Sequence, residues 1–256
     1  MRNKYVADVG DYGKYALTRA FVQSGIKVGF NWYLTEEPGK PGQDKTEDLT
    51  HDSQPLDKKK ATARARKQRR EEKTQAQAES ELKGIIAREN AAFSSLEGER
   101  IPVAETFFYS DVLRPEGEPS DREATRSAWF EKSLEALGEA DLIFCDPDNG
   151  LLTSGKDSKV GGEKYVLQKE VKAYYEAGHD VMFYCQRGRR PDDKWDEYRR
   201  VMPDQIPEAK PLVMTCMLGS QCSYVFLLRP ERYALYMNIC QEFLKNWDRF
   251  YKIDEI

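Results

Sequence analysis

The sequence predicts an α/β fold, arranged as a three-layer sandwich with a mostly parallel sheet between helices. Two observations predict this class. Short apolar runs alternate with amphipathic helical segments along most of the chain, which is the order expected of a parallel sheet. Two further apolar runs near the C-terminus are joined by a short turn, which favours an antiparallel hairpin. A chain of 256 residues can bury a large core, and we expect a single domain over 1–256.

The chain is expected to open with a helix followed by a strand. Apolar side chains recur at helical spacing over 11–24, where Asp11 supplies an N-cap and Gly25 ends the helix. The segment that follows, 26–34, is mostly aliphatic and aromatic, and it predicts the first strand of the sheet.

A long charged insertion is expected next. Residues 35–57 are rich in Gly, Pro, Asp and Thr and predict a loop. Residues 58–92 contain almost no Gly or Pro and many Ala, Arg, Lys, Glu and Gln, so they favour a long helix. Its first half is polar on all sides, which is typical of a helix that projects or is covered by a partner. We therefore expect 36–98 to form an inserted loop and charged helix.

Five strands and three helices are expected after the insertion. The strands are apolar runs at 103–109, 141–145, 180–185, 212–217 and 223–228. The helices are amphipathic segments at 121–137, 164–177 and 230–250. A glycine-bearing loop is expected at 151–163 and a polar loop from Gln186 onward, and the last two strands are expected to form the antiparallel hairpin.

Composition disfavours several classes of protein. No stretch approaches the ~18 apolar residues that cross a bilayer, and the N-terminal residues lack the apolar segment of a signal peptide, so we expect a cytoplasmic protein with no membrane partner. With only two histidines, catalysis by histidine is disfavoured. The five cysteines have no Cys-x-x-Cys spacing, and we expect buried thiols instead of a zinc site or disulfides. They are Cys145, Cys185, Cys216, Cys222 and Cys240.

Polar residues follow the predicted strands at the points where those strands end. In a Rossmann-like sheet the ligand crevice lies beyond the carboxyl ends of the strands, so we expect these residues to converge. They are Thr35, Glu36, Asp111, the four residues from Asp146 to Asn149, Gln186 and Arg187.

The strongest local motif is the turn that leaves the 141–145 strand. Four apolar residues run into Asp146-Pro147-Asp148-Asn149, where proline stiffens the backbone and places two carboxylates and an amide at the end of a strand. We interpret the turn as a catalytic or ligand-binding loop, with Lys164 as an accompanying cation. The alternative is an ordinary Asp-Pro and Asn-Gly turn after a buried strand.

A second motif lies at the start of the chain, and we expect it to face the proline turn across one open crevice. Asp8-Val-Gly-Asp11-Tyr-Gly-Lys14-Tyr15 precedes an apolar helix, where backbone N–H groups and a cation can bind an anionic ligand. Its spacing fits neither a Walker A loop nor a dinucleotide fingerprint. The alternative is a capped helix start with solvated charges.

The two motifs together resemble Rossmann-type S-adenosylmethionine-dependent methyltransferases, among them the ribosomal-RNA adenine-N6 methyltransferases and the three-Cys-motif partner proteins. The stretch from Asp8 to Leu17 resembles the opening helix of the first group, and Asp146-Pro147-Asp148-Asn149 stands where such enzymes carry Asp-Pro-Pro-Tyr. The resemblance implies S-adenosylmethionine as methyl donor and a nucleic-acid base as acceptor. It implies a catalytic role for the proline turn and Lys164, and it places the cofactor against Asp8, Asp11, Lys14, Trp32 and Asp111.

The carboxylates alone allow a second function. Five aspartates could converge at the strand ends and hold Mg²⁺ or Mn²⁺, which prefer oxygen ligands. They are Asp8, Asp11, Asp111, Asp146 and Asp148. Asp146 and Asp148 would be the principal ligands, and Lys14, Lys164 and Arg187 would contact a phosphate. This arrangement describes a metal-dependent nuclease or phosphodiesterase.

A basic block begins the charged insertion. Residues 58–73 hold nine Lys or Arg against two Glu, whereas the rest of the chain holds 31 basic and 42 acidic residues. On a helix these charges could neutralise nucleic-acid phosphates, and Arg187 and Arg189 would extend the surface. The DNA- or RNA-binding residues named by this hypothesis are Lys58, Lys59, Lys60, Arg64 and Arg66.

The block is also consistent with a third function that involves no catalysis. A solvated helix face explains most runs of charge, and the 58–92 helix could equally dock a partner protein or a second copy of this chain. A Rossmann-like binding or assembly protein would then carry no reaction.

Overall fold

The computed structural model describes residues 9–35, 106–115, 117–153, 161–217 and 221–256. Over these residues the chain forms an α/β fold with a seven-stranded mixed sheet and five α-helices, which confirms the predicted class. The predicted insertion at 36–98 and its basic block lie outside the described residues.

Nine strands occur in the described part of the chain. In chain order they are β1 (Val28–Asn31), β2 (Thr106–Tyr109), β3 (Leu142–Cys145), β4 (Leu151–Leu152), β5 (Val166–Leu167), β6 (Asp180–Gln186), β7 (Lys210–Cys216), β8 (Cys222–Leu228) and β9 (Tyr251–Asp254). Seven of them form the main sheet in the order β2-β1-β3-β6-β8-β7-β9, and β4 pairs with β5 in a separate parallel pair.

The main sheet has a parallel half and an antiparallel half. Strands β2, β1, β3 and β6 are parallel to one another, whereas β8 is antiparallel to both β6 and β7. The predicted C-terminal hairpin is therefore confirmed as β7 and β8. Strand β9 was not predicted, and it extends the sheet by pairing antiparallel with β7.

Five α-helices cover both faces of the sheet. They are α1 (Val9–Gln23), α2 (Pro119–Ala136), α3 (Gln168–Glu176), α4 (Asp192–Gln205) and α5 (Tyr233–Trp247). Trp129, Tyr174 and Trp195 of α2, α3 and α4 pack in one core with Cys145 and Phe183.

On the other face, α1 and α5 pack against the sheet through aromatic rings. The ring of Phe21 on α1 contacts Phe226 of β8 and Tyr236 of α5. Successive strand residues point to opposite faces, so each central strand supplies side chains to both cores.

Helix α4 replaces the polar loop expected after Gln186. Its buried residues recur at helical spacing, although eight of its fourteen residues are charged. Those buried residues are Trp195, Tyr198, Arg199 and Met202. The density of charge and Pro203 in the last turn conceal a periodic apolar face in the sequence.

Three predicted boundaries are wrong in an instructive way. Helix α1 begins at Val9, so Asp11 lies inside its first turn and is not the N-cap. The helix expected at 164–177 begins only at Gln168, after a 3-10 turn at Gly162–Lys164 and strand β5. Pairing between β4 and β5 holds the backbone before α3 extended. The closing helix ends at Trp247, before strand β9.

The sequence expectation for the cysteines is confirmed. All five are free and buried, four in strands of the main sheet and Cys240 in α5. Burial raises the pKa of the Cys185 and Cys240 thiols to about 12, so both stay protonated near neutral pH. In the described part of the chain, no helix is long and apolar enough to cross a membrane.

A mostly buried ion pair ties α4 to the last strand. The Arg199 Nη1 atom lies 2.5 Å from Asp254 Oδ2, and the Thr215 hydroxyl donates to the same oxygen at 2.6 Å. Burial alone would raise the pKa of Asp254. Hydrogen bonds from Lys252, Thr215 and Arg199 outweigh it and hold that pKa below its usual value.

Replacing this carboxylate is expected to remove a pH-dependent part of the stability. A group with a lowered folded-state pKa stabilises the protein above its unfolded pKa, and this contribution is lost as pH falls through the folded value. Asp254→Asn should therefore lower the free energy of unfolding by about 2 kcal/mol at pH 7. Urea unfolding followed from pH 7 to pH 3 should show the difference from the wild type narrowing. A difference that stays constant over this range would contradict the assignment.

Candidate functional site

The carboxyl ends of β1 and β3 lie side by side at the topological switch point of the sheet, where the strand order reverses. The chain passes from β1 to β2 on one side and then to β3 on the other side of β1. At such a switch point an open α/β sheet leaves a ligand crevice beyond the strand ends. Asn31 and Cys145 end the two strands as register partners, and the Asp146 amide donates to the Asn31 carbonyl at 3.0 Å. Asp146 is therefore the first residue beyond the strands at this point.

A buried ion pair joins α1 to this position. Lys14 Nζ lies 2.7 Å from Asp146 Oδ2, and both side chains are 7% exposed. The same ammonium lies 5.8 Å from the centroid of the Trp32 ring, in the geometry of a cation–π contact. The structure thus brings the N-terminal motif and the proline turn into direct contact, where the sequence led us to expect them to face each other across an open crevice.

Gly13 allows α1 to approach the sheet closely enough for this contact. A Cβ atom at Gly13 would lie 2.1 Å from the hydroxyl oxygen of Tyr251 on β9. Tyr251 is itself buried, so its ring cannot move aside without disturbing the core. Because Lys14 is the next residue, the close packing at Gly13 sets the position from which the ammonium reaches Asp146.

The turn that leaves β1 is strained. Tyr33 has φ of 46°, and it is the non-glycine residue with positive φ among the described residues. Such a conformation persists when its surroundings impose it, and it clusters at functional sites. Here the buried Tyr33 hydroxyl donates to Glu170 Oε2 at 3.0 Å, and its ring packs edge-on against Trp129. Burial, followed by the nearby Glu170 charge, raises the pKa of Tyr33 well above its usual value, so the hydroxyl keeps its proton.

A second buried ion pair supports the site from the opposite face of the sheet. Arg126 Nε lies 2.6 Å from Glu170 Oε1, and Arg126 Nη2 lies 2.9 Å from Glu170 Oε2. The same guanidinium donates to the carbonyls of Gly162 and Tyr165 at 2.8 and 2.7 Å. The two bonds to carbonyls hold the segment before α3, and the two bonds to Glu170 join it to the first turn of α3.

That segment in turn holds the proline turn. The Asn149 amide donates to the Lys164 carbonyl at 2.9 Å, and the Val166 amide donates to the Gly150 carbonyl at 2.9 Å. Within the turn Asp146 and Pro147 are buried, whereas Asp148 and Asn149 are half-buried. The segment that contains Lys164 is therefore bonded to the turn through the backbone, and the role of Lys164 as a cation stays a prediction.

Three further residues predicted for the site follow other strands: Asp111 follows β2, and Arg187 and Arg189 follow β6. Asp111 contacts α2, because its carbonyl accepts a bond from Trp129 Nε1 at 2.8 Å and its Oδ2 lies 3.5 Å from the Tyr109 hydroxyl. Arg187 pairs with Asp192 and Gln221, which holds it against the start of α4. Arg189 is exposed. Asp8, the Asp11 side chain and Glu36 lie outside the described residues, as do the basic residues of the insertion.

Asn31 is a buried polar residue at the site that the sequence analysis did not single out. It is fully buried, its amide donates to the Tyr174 hydroxyl at 2.8 Å, and its side-chain oxygen accepts from the Tyr33 amide at 3.3 Å. The signal in the sequence was an amide side chain within an otherwise apolar strand. Arg126 and Glu170 gave no such signal, because each lies on a helix among many other charged residues.

The described residues show no metal site of the kind that the nuclease hypothesis needs, and two of its five aspartates, Asp8 and the Asp11 side chain, lie outside them. Among the described residues no three His, Cys, Asp or Glu side chains are grouped closely enough to hold an ion. Asp146 carries the ammonium of Lys14 at hydrogen-bond distance, so a cation already balances its charge. Asp111 contacts α2, whereas Asp146 pairs with α1.

The residues present do fit a nucleoside-type cofactor. Rossmann folds bind ribose hydroxyls through an acidic side chain and place the ligand at the switch point. Asp111 supplies an exposed carboxylate just after β2, the strand beside β1, and its backbone is fixed by Trp129. Trp32 supplies a half-buried ring directly after β1.

The Lys14–Asp146 pair is expected to be strongly coupled. Removing one partner of a buried pair leaves the other charge uncompensated and costs about 3–5 kcal/mol. Lys14→Met and Asp146→Asn should each lower the free energy of unfolding by that amount in urea titrations. The double variant should lose clearly less than the sum of the two. Lys172→Met, in an exposed pair on α3, serves as the control and should change little. Additive losses would contradict the coupling.

Gly150 is expected to tolerate no side chain. It has φ of +94°, and a Cβ atom there would lie 2.7 Å from the Tyr198 hydroxyl and 3.1 Å from the Tyr184 carbonyl oxygen. Gly161 has a similar φ of +82°, and no atom of the described residues lies within 4 Å of a Cβ placed there. It is therefore a matched control for the backbone strain alone. Gly150→Ala should destabilise the protein by about 2 kcal/mol more than Gly161→Ala in the same denaturant assay. An equal loss of unfolding free energy in the two variants would contradict this prediction, because it would show that the residues around Gly150 can rearrange to accept a side chain.

No family model, curated protein or solved structure matches this chain. The site is therefore defined by three features of its own. They are a buried ion pair at a switch point, a strained turn after β1 and an acidic, proline-containing turn after β3.

Proposed function

We propose that the chain is an S-adenosylmethionine-dependent methyltransferase that acts on a nucleic-acid base, with its site at the ends of β1 and β3. The observation that carries the proposal is the contact between Lys14 and Asp146 at this switch point. It joins the two motifs on which the resemblance to Rossmann-type methyltransferases rests, although they are 132 positions apart in the chain.

The sheet supports a Rossmann-like assignment in two ways. Its parallel strands place the switch point between β1 and β3, where this class of fold binds nucleotides. The antiparallel strand β8 lies between β6 and β7, so a mostly parallel sheet is closed by the antiparallel hairpin expected of this Rossmann-like arrangement. Fold alone does not specify a reaction, so the proposal depends on the residues at the strand ends.

The cofactor side of the site consists of Trp32 and Asp111. S-adenosylmethionine would supply an electrophilic methyl group. The Asp111 carboxylate would accept hydrogen bonds from ribose hydroxyls, and Trp32, directly after β1, would border the ligand. Lys14 fixes one end of this arrangement, because its ammonium contacts both the Trp32 ring and Asp146.

The acceptor side of the site is the proline turn. A carboxylate has about four lone-pair positions, so Asp146 can accept from an exocyclic base amine while it pairs with Lys14. Pro147 stiffens the turn, and the half-buried Asp148 and Asn149 add polar groups that a base edge can meet. The Lys164 carbonyl accepts from the Asn149 amide, and we infer that its side chain supplies the cation of the acceptor side.

Ligand binding is the first test of the proposal. A ligand at 100 times its Kd stabilises the folded state by about 2.7 kcal/mol, so S-adenosylmethionine and S-adenosylhomocysteine should both raise the melting temperature. Asp111→Asn should weaken binding about tenfold in calorimetric titrations, because a hydrogen bond to a charged group is lost. Asp254→Asn removes a paired carboxylate at the other edge of the sheet and should bind both ligands like the wild type.

Methyl transfer is the second test. Transfer of labelled methyl groups should be measured on DNA and RNA, each single-stranded and double-stranded. Asp146→Asn should abolish transfer and keep the melting shift with S-adenosylmethionine. If neither ligand shifts the melt and Asp146→Asn has no effect, a non-catalytic binding protein replaces the proposal. A melting shift with Mn²⁺ that disappears in Asp146→Ala would instead favour the nuclease.

A further inference from the structure

We propose that Phe30, Trp32 and Phe108 form a stacking surface for an unpaired base, which makes single-stranded nucleic acid the substrate class. We call these three residues the aromatic platform. The assignment of a substrate rests on the proposed methyl transfer, whereas the binding of a base by the platform can be tested without it.

The three rings of the platform are nearly parallel. Phe30 and Trp32 have centroids 5.1 Å apart at 20°, and Phe30 and Phe108 have centroids 5.2 Å apart at 14°. Trp32 and Phe108 lie 6.4 Å apart at 9°. Parallel register between β1 and β2 pairs Phe30 with Phe108, which accounts for the shared orientation of their rings. An added aromatic ring in the same orientation would find offset-stacked partners.

Exposure separates the platform from the other parallel ring contacts in the described residues. The pairs Trp195–Tyr198, Tyr224–Tyr251 and Phe243–Trp247 are buried in the cores, with every member at most 7% exposed. Phe108 is 55% exposed and is the most exposed large apolar side chain in the described part of the chain. The platform therefore exposes aromatic ring surface to solvent, whereas the other stacks are internal packing.

The platform continues into the candidate site. It lies at the edge of the main sheet on β1 and β2, and its Trp32 ring contacts the ammonium that pairs with Asp146. The Lys14 ammonium is 7% exposed and paired with Asp146, and it lies against the Trp32 ring, so a cation is close to a base stacked on the platform. This combination of ring faces and a nearby cation is typical of single-strand binding surfaces.

A base suits the platform better than a protein partner. A stable protein interface buries about 800 Å² on each side. Phe30 is only 6% exposed, so Trp32 and Phe108 supply most of the accessible ring surface. One aromatic side chain buries only about 150–250 Å². The accessible surface thus matches one or two bases and is too small for a protein interface.

Tryptophan fluorescence offers a direct test. The chain has four tryptophans, and Trp129, Trp195 and Trp247 are each at most 6% exposed, so Trp32 is the one that a ligand can reach. A single-stranded DNA or RNA 12-mer should quench the fluorescence on titration, and its duplex should bind much more weakly. Phe108→Leu keeps an apolar side chain but removes the ring, and it should weaken binding of the single strand about tenfold. Phe108→Tyr should keep the affinity.

Leu235→Ala is the matched control, because Leu235 is a 45% exposed apolar residue on α5 and lies outside the platform. It should bind like the wild type. Equal affinity of Phe108→Leu and the wild type, equal affinity for duplex and single strand, or no quenching by either nucleic acid would each overturn the platform. Quenching that depends on protein concentration alone would show instead that a second copy covers these rings, and it would also overturn the proposal.

Two results keep this inference separate from the proposed function. The melting shift of the wild-type chain with S-adenosylmethionine is measured in parallel. If Phe108→Leu loses the single strand and no such shift occurs, the methyltransferase fails and the platform stands. If the shift occurs and Phe108→Leu binds like the wild type, the platform fails and the cofactor site stands.

Discussion

The arrangement of the site depends on one buried ion pair, between Lys14 on the first helix and Asp146 at the end of a central strand. Burying two charges is costly, and the cost is offset only when the partners are close and well oriented. The pair therefore fixes α1 relative to β3, and the close approach at Gly13 sets the distance from which it forms. A helix at the start of the chain thereby becomes part of a site built at the middle of the chain.

A second ion pair performs the complementary task on the other face of the sheet. Arg126 fixes the segment before α3, and that segment holds the proline turn through the Lys164 carbonyl. Glu170 holds the turn after β1, because it accepts from the Tyr33 hydroxyl. An ion pair on each face of the sheet thus supports the ends of β1 and β3. The hydrogen bond from the Asp146 amide to the Asn31 carbonyl joins the two ends directly. Such support from both sides explains how Tyr33 keeps a left-handed conformation without glycine.

The sequence predicted the parts of the fold that depend on local pattern. Alternating apolar runs predicted the central strands, and the short turn predicted the β7–β8 hairpin. Helix α4 was missed because its buried face, from Trp195 to Met202, is masked by charges that include the ion-paired Arg199. Strand β5 was predicted as helix because its conformation comes from pairing with β4 and from Arg126, both remote in sequence. At the site, the motifs indicated Lys14 and Asp146 separately. Their contact, and the roles of Asn31 and Glu170, depend on tertiary packing that no local pattern encodes.

Hydrogen–deuterium exchange with and without S-adenosylhomocysteine tests the central claim most directly, because it reports where the ligand acts on the backbone. Binding at the switch point predicts slower exchange in three segments that are distant in sequence: the first half of α1 around Lys14, the turn after β1 at 32–35, and the proline turn at 146–150. The far edge of the sheet at β9 should be unchanged. Protection confined to other segments, or a bound ligand that leaves these three unchanged, would contradict the account.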